Sequence, residues 1–355
     1  MSERDILDRF PEPIFRVRDG RLLYGNAAAR GLLRELPPPA EPTLLPEPLA
    51  ALAACPPPFL RSDMSLGART FSVQGIPEEE GTLLVLRPTE ADLSALLLGR
   101  LSDSLRPPLG NLLSAVSLLS DRTDGGNEDL LCLLNQQLFR LLRLTGNLAA
   151  ARETLGREGD FFPAYVDAVP LCREMAEEMN DALWSVGRQI RFSADRDRIP
   201  LLADPAMLER LLANLLSNAL KASPAGKPVD LALSVQGDQL TLSVHDEGPG
   251  IEPDLLGQVF SPGTRTLRLD MPGQGAGLGL PVARAIALRH GGSLLLECPP
   301  GGGTTVSVSL PLNRERRDPI LTDNPPRTSY GAFSRTLVEL SDVLPPSAFS
   351  PRDVE

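Results

Sequence analysis

The chain has 355 residues, enough for roughly two or three compact units, and it is acidic, with a formal net charge of −11. This charge argues against nucleic acid or an anionic membrane surface as the main partner. The cysteines lie far apart, which disfavours a zinc site or a disulfide framework. No signal-peptide pattern and no apolar run of membrane-spanning length is present, so the sequence predicts a cytoplasmic protein without membrane insertion.

Residues 1–88 are predicted to form a first unit, with one short helix and several strands whose side chains alternate between apolar and polar. Two strands at 14–17 and 21–24 are joined by a turn and followed by a capped helix at 27–36. A Pro-rich tract with one helical turn covers 37–58, and two further strands lie at 69–73 and 82–86. With the stretch D-G-R-L-L-Y-G-N-A-A-A, this order resembles a small PAS sensor domain. Such a unit would either bind a signalling ligand or serve only for dimer contacts.

Residues 89–157 predict two amphipathic helices joined by a Gly- and Asp-rich turn at 121–127. Both helices carry apolar residues at steps of four and three, among them Leu97, Leu101, Leu105 and Leu109 in the first and Leu130, Leu134, Leu138 and Leu141 in the second. Two copies of such an antiparallel hairpin cover their apolar faces by forming a four-helix bundle, so the sequence predicts a homodimer. Packing of the hairpin on its own domain is the alternative.

A predicted helix capped by Asp204 and opened by Pro205 carries an unusual polar column opposite its leucine face. The column consists of Arg210, Asn214, Asn218 and Lys221. Carboxamide oxygens suit a hard divalent cation, and an ammonium group suits phosphates. A solvated outer face is the alternative.

Two glycine-rich stretches follow, D-E-G-P-G-I at 246–251 and G-A-G-L-G-L at 275–280, the second leading into a helix at 281–289. Together with the polar helix, they resemble the asparagine box and the two glycine boxes of the histidine-kinase ATP-binding domain, here residues 158–312. The resemblance implies that Asn218 holds Mg²⁺ on ATP and that Asp246 accepts a hydrogen bond from adenine. The other implied ATP contacts are Asn214, Lys221, Gly248, Gly250, Gly275, Gly277, Leu278, Gly279 and Thr304.

The chain is therefore predicted to be a multidomain α+β protein: a PAS-like domain, a helical hairpin in a dimeric bundle, and an α/β sandwich that binds ATP. Within the sandwich we expect a helix at 168–186 and a mobile lid at 260–274. We also expect strands at 189–193, 201–203, 229–235 and 239–245.

The phosphoacceptor box departs from the family pattern. The family reads roughly S-H-E-L-R-T-P-L, whereas residues 102–109 read S-D-S-L-R-P-P-L, so Asp103 stands where the acceptor His is expected. The only two histidines, His245 and His290, lie in the ATP-binding domain. The resemblance thus implies a two-component signalling protein that binds Mg-ATP without phosphorylating itself on His. Its output would be conformational and directed at a response-regulator receiver domain or another histidine kinase.

Two alternatives stay open at this point. The chain could transfer the γ-phosphoryl group to a partner or to a non-His residue such as Asp103 or Ser104. It could also be an interaction scaffold that binds no nucleotide.

Residues 313–355 are rich in Arg, Asp and Pro and predict a disordered tail. Phe333, Leu337, Leu340 and Leu344 would fit one face of a short docking helix, although chance spacing explains them equally well.

Overall fold

A computed structural model describes the chain in segments separated by gaps. The described residues are 7–8, 10–19, 21–35, 45, 49–53, 55–66, 69–78, 81–88, 112, 128–155, 161–251, 256, 259, 278–299, 302–312 and 334–350. Asp103 with nearly all of the predicted first hairpin helix, the predicted lid, Gly275 and Gly277 lie outside them.

The strands within these segments are β1 Ile14–Arg18, β2 Arg21–Gly25, β3 Phe59–Leu66, β4 Arg69–Glu78, β5 Gly81–Pro88, β6 Ala164–Asp167, β7 Ile190–Ala194, β8 Pro200–Ala203, β9 Val229–Gln236, β10 Gln239–Asp246, β11 Ser293–Glu297 and β12 Thr304–Pro311. The helices are α1 Ala27–Glu35, α2 Leu49–Ala53, α3 Glu128–Leu155, α4 Ala168–Leu183, α5 Pro205–Ala222, α6 Gly279–Arg289 and α7 Arg335–Glu339. Short 3₁₀ turns follow at Trp184–Val186 and Pro346–Phe349.

Ten of these described strands form one sheet in the order β2-β1-β5-β4-β3-β11-β12-β10-β9-β7. The N-terminal strands join the others through antiparallel pairing of β3 with β11, where Leu60 faces Leu296. Strands β6 and β8 pair separately. The sequence did not predict β3, which lies at the end of the Pro-rich tract.

Helices α4, α5 and α6 pack on the sheet half that contains β7, β9, β10, β12 and β11, and they share with it the main hydrophobic core. A second core lies under β1 to β5, around Phe15, Phe59 and Phe71. This arrangement confirms the mixed α+β content and the α/β architecture expected for the ATP-binding unit. None of the helices in the described segments has the length and hydropathy required to cross a bilayer.

Helix α5 forms where the sequence placed it, because its start and its apolar face are both encoded locally. The Asp204 carboxylate accepts from the Met207 N–H at 3.1 Å, and Pro205 occupies the first turn. Leu211, Leu212 and the other leucines of the inner face are buried.

Residues 334–350, which we name the C-terminal segment, are ordered against α3, α4 and α5. This differs from the disordered tail that the sequence predicted for 313–355. The physical reason is burial: the side chains of Val338, Leu340, Leu344 and Phe349 are at most 3% exposed, and this apolar contact offsets the entropy of ordering the segment.

Candidate functional site

The polar column of α5 is largely covered by its surroundings. Asn214 is fully buried, and its side-chain N–H donates to the carbonyl of Arg210 one turn earlier, at 3.1 Å. Its side-chain oxygen accepts from Asn147 on α3 at 3.3 Å. Asn218, one turn further on, is half-buried. The sequence did not lead us to predict a role for Asn147, although a carboxamide among the leucines of α3 could have indicated a polar contact there.

The second glycine stretch reaches this column through its last glycine. A Cβ atom added to Gly279 would lie 3.1 Å from Asn218 Nδ2 and 3.2 Å from Asn214 Oδ1. Gly279 begins α6, directly after the buried Leu278, and no side chain caps this helix start. The first N–H groups of α6 therefore lie beside the two asparagines, a position that favours an anion.

The first glycine stretch closes the other side of the site. Asp246 ends β10, is 5% exposed, and accepts from the Gly248 N–H at 2.9 Å. Burial raises the pKa of its carboxyl group, and the hydrogen bond from Gly248 acts in the opposite direction. A Cβ on Gly248 would lie 2.6 Å from the Asp246 carboxylate and 2.8 Å from the Ala222 carbonyl, so the turn packs against the end of α5.

Thr304 and Gly250 lie beside Asp246. Thr304 is the partner of Asp246 in the β10–β12 pairing, and the Gly303 N–H donates to the Gly248 carbonyl at 2.7 Å. Gly250 has φ 74°, in the left-handed region that favours glycine. The described members of the predicted set other than Lys221 thus lie in two groups next to α5. Asn214, Asn218, Leu278 and Gly279 lie at the start of α6, and Asp246, Gly248, Gly250 and Thr304 lie at the end of β10.

Lys221 has a partner that the sequence did not suggest. Its ammonium nitrogen lies 2.6 Å from a carboxylate oxygen of Asp342 in the C-terminal segment. Burial lowers the pKa of Lys221 to about 8, although Asp342 acts in the opposite direction.

His290 is positioned for a structural role. Its Nε2 accepts from the Asp204 N–H at 3.0 Å, and its Nδ1 lies 2.8 Å from the Ile286 carbonyl. Because Nε2 accepts, Nδ1 must carry the proton and donate to Ile286. Burial lowers the pKa of this imidazole. The neutral ring therefore ties the end of α6 to the start of α5.

Comparison with known proteins identifies the domain. Residues 203–314 match the family of histidine kinase-, DNA gyrase B- and HSP90-like ATPases. Two proteins of Pseudomonas aeruginosa are similar: the sensor protein kinase CarS, 32% identical over 72% of this chain and 56% of CarS, and the alginate biosynthesis sensor protein KinB, 30% identical over 60% of this chain and 36% of KinB. Sensor histidine kinase ZraS of Escherichia coli is 29% identical over 61% of this chain and 45% of ZraS. The chain thus spans 36–56% of the length of these relatives.

Among solved structures, histidine kinase ThkA in complex with the response regulator TrrA aligns with 89% of this chain and all of ThkA, at a TM-score of 0.50 and 20% identity. A likeness at this identity concerns the fold alone. The family match over residues 203–314 shows that the α/β domain carrying the candidate site is an ATPase-type domain of the histidine kinase, gyrase B and HSP90 class. Within that class, the chain carries an ATP-binding domain of the sensor histidine kinase family.

Proposed function

We propose that the chain binds Mg-ATP where α5, the start of α6 and the end of β10 meet, and that it acts in two-component signal transduction. The observation that carries the proposal is the meeting of three sequence-distant groups: the α5 column, Gly279 at the start of α6, and Asp246 with Gly248. A family domain at 203–314 and sensor-kinase relatives support it.

The residues at the site fit the groups of Mg-ATP. A buried carboxylate at Asp246 suits the exocyclic amino group of adenine, and the absence of Cβ atoms at Gly248 and Gly279 lets these two turns pack closely against Asp246 and the two asparagines. The Asn218 amide oxygen is a hard ligand of the kind that Mg²⁺ takes, and the Lys221 ammonium suits phosphate. When bound, Mg²⁺ would neutralise charge on the phosphates.

We further propose that the output is conformational, with no self-phosphorylation on His. A neutral imidazole nitrogen is a good nucleophile near pH 7, but Asp103 stands at the acceptor position. Of the two histidines, His290 uses both ring nitrogens in structural hydrogen bonds, and His245 Nδ1 contacts Thr305 at 3.0 Å within the sheet. A receiver domain or a second histidine kinase is the proposed partner.

Isothermal titration calorimetry with Mg-ATP tests the binding proposal. The full chain should bind, and Asn218→Ala and Asp246→Asn should each weaken binding at least about tenfold. The first removes an amide oxygen, and the second replaces a charged acceptor with a carboxamide whose NH₂ cannot accept from the ligand. The matched control is Asp230→Asn, which changes an exposed acid on β9 paired with Arg191. Equal affinities in wild type and Asn218→Ala would contradict the assignment of the site.

Incubation with γ-labelled ATP tests the proposed output. We expect no stable label on the chain. Acid-labile, base-stable label on the protein would indicate phosphohistidine and would contradict the conformational mechanism.

A further inference from the structure

The C-terminal segment packs against α3 through an apolar contact. Phe349 is fully buried, and its ring meets Phe139 of α3 edge-on, with centroids 5.4 Å apart. Leu340 and Leu344 are buried in the main core. The segment is therefore held by shape and burial as well as by charge.

Hydrogen bonds fix the backbone of the segment to the same helix. The Gln136 side chain donates to the Leu344 carbonyl at 2.7 Å, and the Asn135 side chain donates to the Phe349 carbonyl at 3.0 Å. At the other end, Arg335 pairs with Glu178 of α4 and Glu209 of α5, at 2.7 and 2.6 Å.

Between these anchors, the carboxylate of Asp342 enters a cluster of three cations. Its oxygens lie 2.6 Å from Lys221 Nζ, 2.7 Å from Arg143 Nη1 and 3.3 Å from Arg140 Nε. Glu339 is a second acid at this cluster, with an oxygen 3.3 Å from Arg143 Nε. The side chains of Arg143 and Asp342 are only 6% and 13% exposed, so water screens their attraction weakly.

The three cations of the cluster are stabilised by an anion between them. Burial alone would raise the pKa of Asp342, but Lys221 and Arg143 outweigh burial and bring it to about 2. The carboxylate is therefore charged at neutral pH. If it leaves, three cations remain close together, and a bound anion would relieve their mutual repulsion.

The position of the three cations suggests which anion would replace the Asp342 carboxylate. Lys221 stands on the same α5 column as Asn214 and Asn218, and Asn147, one turn after Arg143 on α3, donates to Asn214. The cations from α3 and the proposed nucleotide site therefore share one surface of α5.

We propose that Arg140, Arg143 and Lys221 form a subsite for the phosphate groups of the nucleotide, and that Asp342 occupies it when the C-terminal segment is docked. The segment then competes with nucleotide from within the same chain. This inference rests on the proposed Mg-ATP binding and specifies how that binding is controlled. The apparent dissociation constant for ATP is the intrinsic constant divided by the fraction of molecules whose segment is undocked.

Calorimetric titration of the full chain with Mg-ATP and with adenosine tests the competition. Asp342→Ala and the isosteric Asp342→Asn should tighten ATP binding by about tenfold or more, because the subsite loses its internal anion. Adenosine has no phosphate, so its affinity should change much less. The matched control, Asp230→Asn, should leave both affinities unchanged.

Arg143 is tested in the Asp342→Asn background. Arg143→Gln should weaken ATP binding by about tenfold and adenosine binding much less, because the lost contact is to phosphate. Arg191→Gln, which removes an exposed arginine paired with Asp230, should leave both affinities unchanged.

Hydrogen exchange on wild-type protein gives a readout that needs no variant. Saturating Mg-ATP should speed exchange of the backbone amides at 337–344, because the segment is displaced. If ATP binds wild type and Asp342→Asn equally and leaves this exchange unchanged, the competition is refuted while nucleotide binding stands. If both proteins keep their thermal transition and neither binds ATP, the proposed function is refuted together with it.

Discussion

Gly279 shows how closely a single residue is constrained at the site. It begins α6, where alanine has the better helix propensity, yet an added Cβ would lie 3.1 Å from the Asn218 amide. Helix propensity and site geometry therefore favour different residues at this position.

We predict that Gly279→Ala leaves thermal stability equal or higher and weakens Mg-ATP binding roughly tenfold, because it displaces the Asn218 amide. Calorimetry and thermal melts measure the two effects. Gly31→Ala is the control, since Gly31 lies in α1 with open space around the added Cβ. A Gly279→Ala protein with wild-type affinity would contradict the proposal that close packing of Gly279 on Asn218 is needed for binding.

His290 makes the stability of the domain depend on pH. Its pKa in the folded protein lies below the ordinary value of about 6.5, so the unfolded chain binds a proton before the folded one does. Its contribution to stability is fully present above about pH 6.5 and is lost as pH falls toward the folded pKa. The lost contact is the hydrogen bond from the Asp204 N–H to Nε2.

We predict that the free energy of unfolding, measured with urea, falls between pH 7 and pH 5, and that it falls less in His290→Gln. Gln keeps an acceptor oxygen and does not titrate in this range. Equal pH dependence in the two proteins would assign the effect to other groups.

At the level of elements, α3 and the C-terminal segment form one packed unit. Phe349 contributes the largest buried side chain of the segment, and the Leu344 N–H donates to the Leu340 carbonyl at 2.9 Å. The exchange of that amide therefore reports whether the segment is docked.

We predict that Phe349→Ala lowers the free energy of opening at Leu344 by up to about 3 kcal/mol, through lost burial and the cavity left against Phe139. Hydrogen exchange measures it. Phe162→Ala is the control, because the Phe162 side chain is 69% exposed. Unchanged exchange in Phe349→Ala would mean that the apolar contact does not hold the segment.

The elements differ in how far the sequence could predict them. Helix α5 could be predicted closely because Asp204, Pro205 and the leucine spacing are local signals. Strand β3 could not, because F-L-R-S-D-M-S-L lacks regular alternation and the strand is stabilised by pairing with β4 and β11.

The partners of the site residues were beyond sequence reasoning for a similar reason. Asp342 lies 121 positions from Lys221, and Asn147 lies 67 positions from Asn214. The family resemblance indicated the residues proposed to contact the ligand, but it contains no information about a C-terminal segment packed against Lys221.

At the scale of the whole molecule, the continuous sheet joins the N-terminal strands to the ATP-binding domain. Leu60 of β3 belongs to the core of that domain, although the rest of β3 packs mainly on the N-terminal core. The two units are therefore joined by the β3–β11 backbone pairing and by side chains from both strands, since Leu295 of β11 packs against the N-terminal core.

Helix α3 also leaves an apolar face open within the described part of the chain. Leu131 and Leu138, one heptad apart, are 41% and 49% exposed, and Leu134 and Leu141 lie on the same face, half-buried. Exposed leucines at this spacing are typical of helix-bundle interfaces, so we retain the homodimer predicted from the sequence as a proposal.

We predict that Leu131→Asp with Leu138→Asp converts a dimer into a monomer, because each charge would be desolvated in the interface. Light scattering after size-exclusion chromatography should give twice 38.2 kDa for wild type and 38.2 kDa for the double variant. Phe162→Asp, which places a charge at an exposed aromatic outside α3, should remain dimeric. A monomeric wild type would instead favour the hairpin packing its leucines on its own chain.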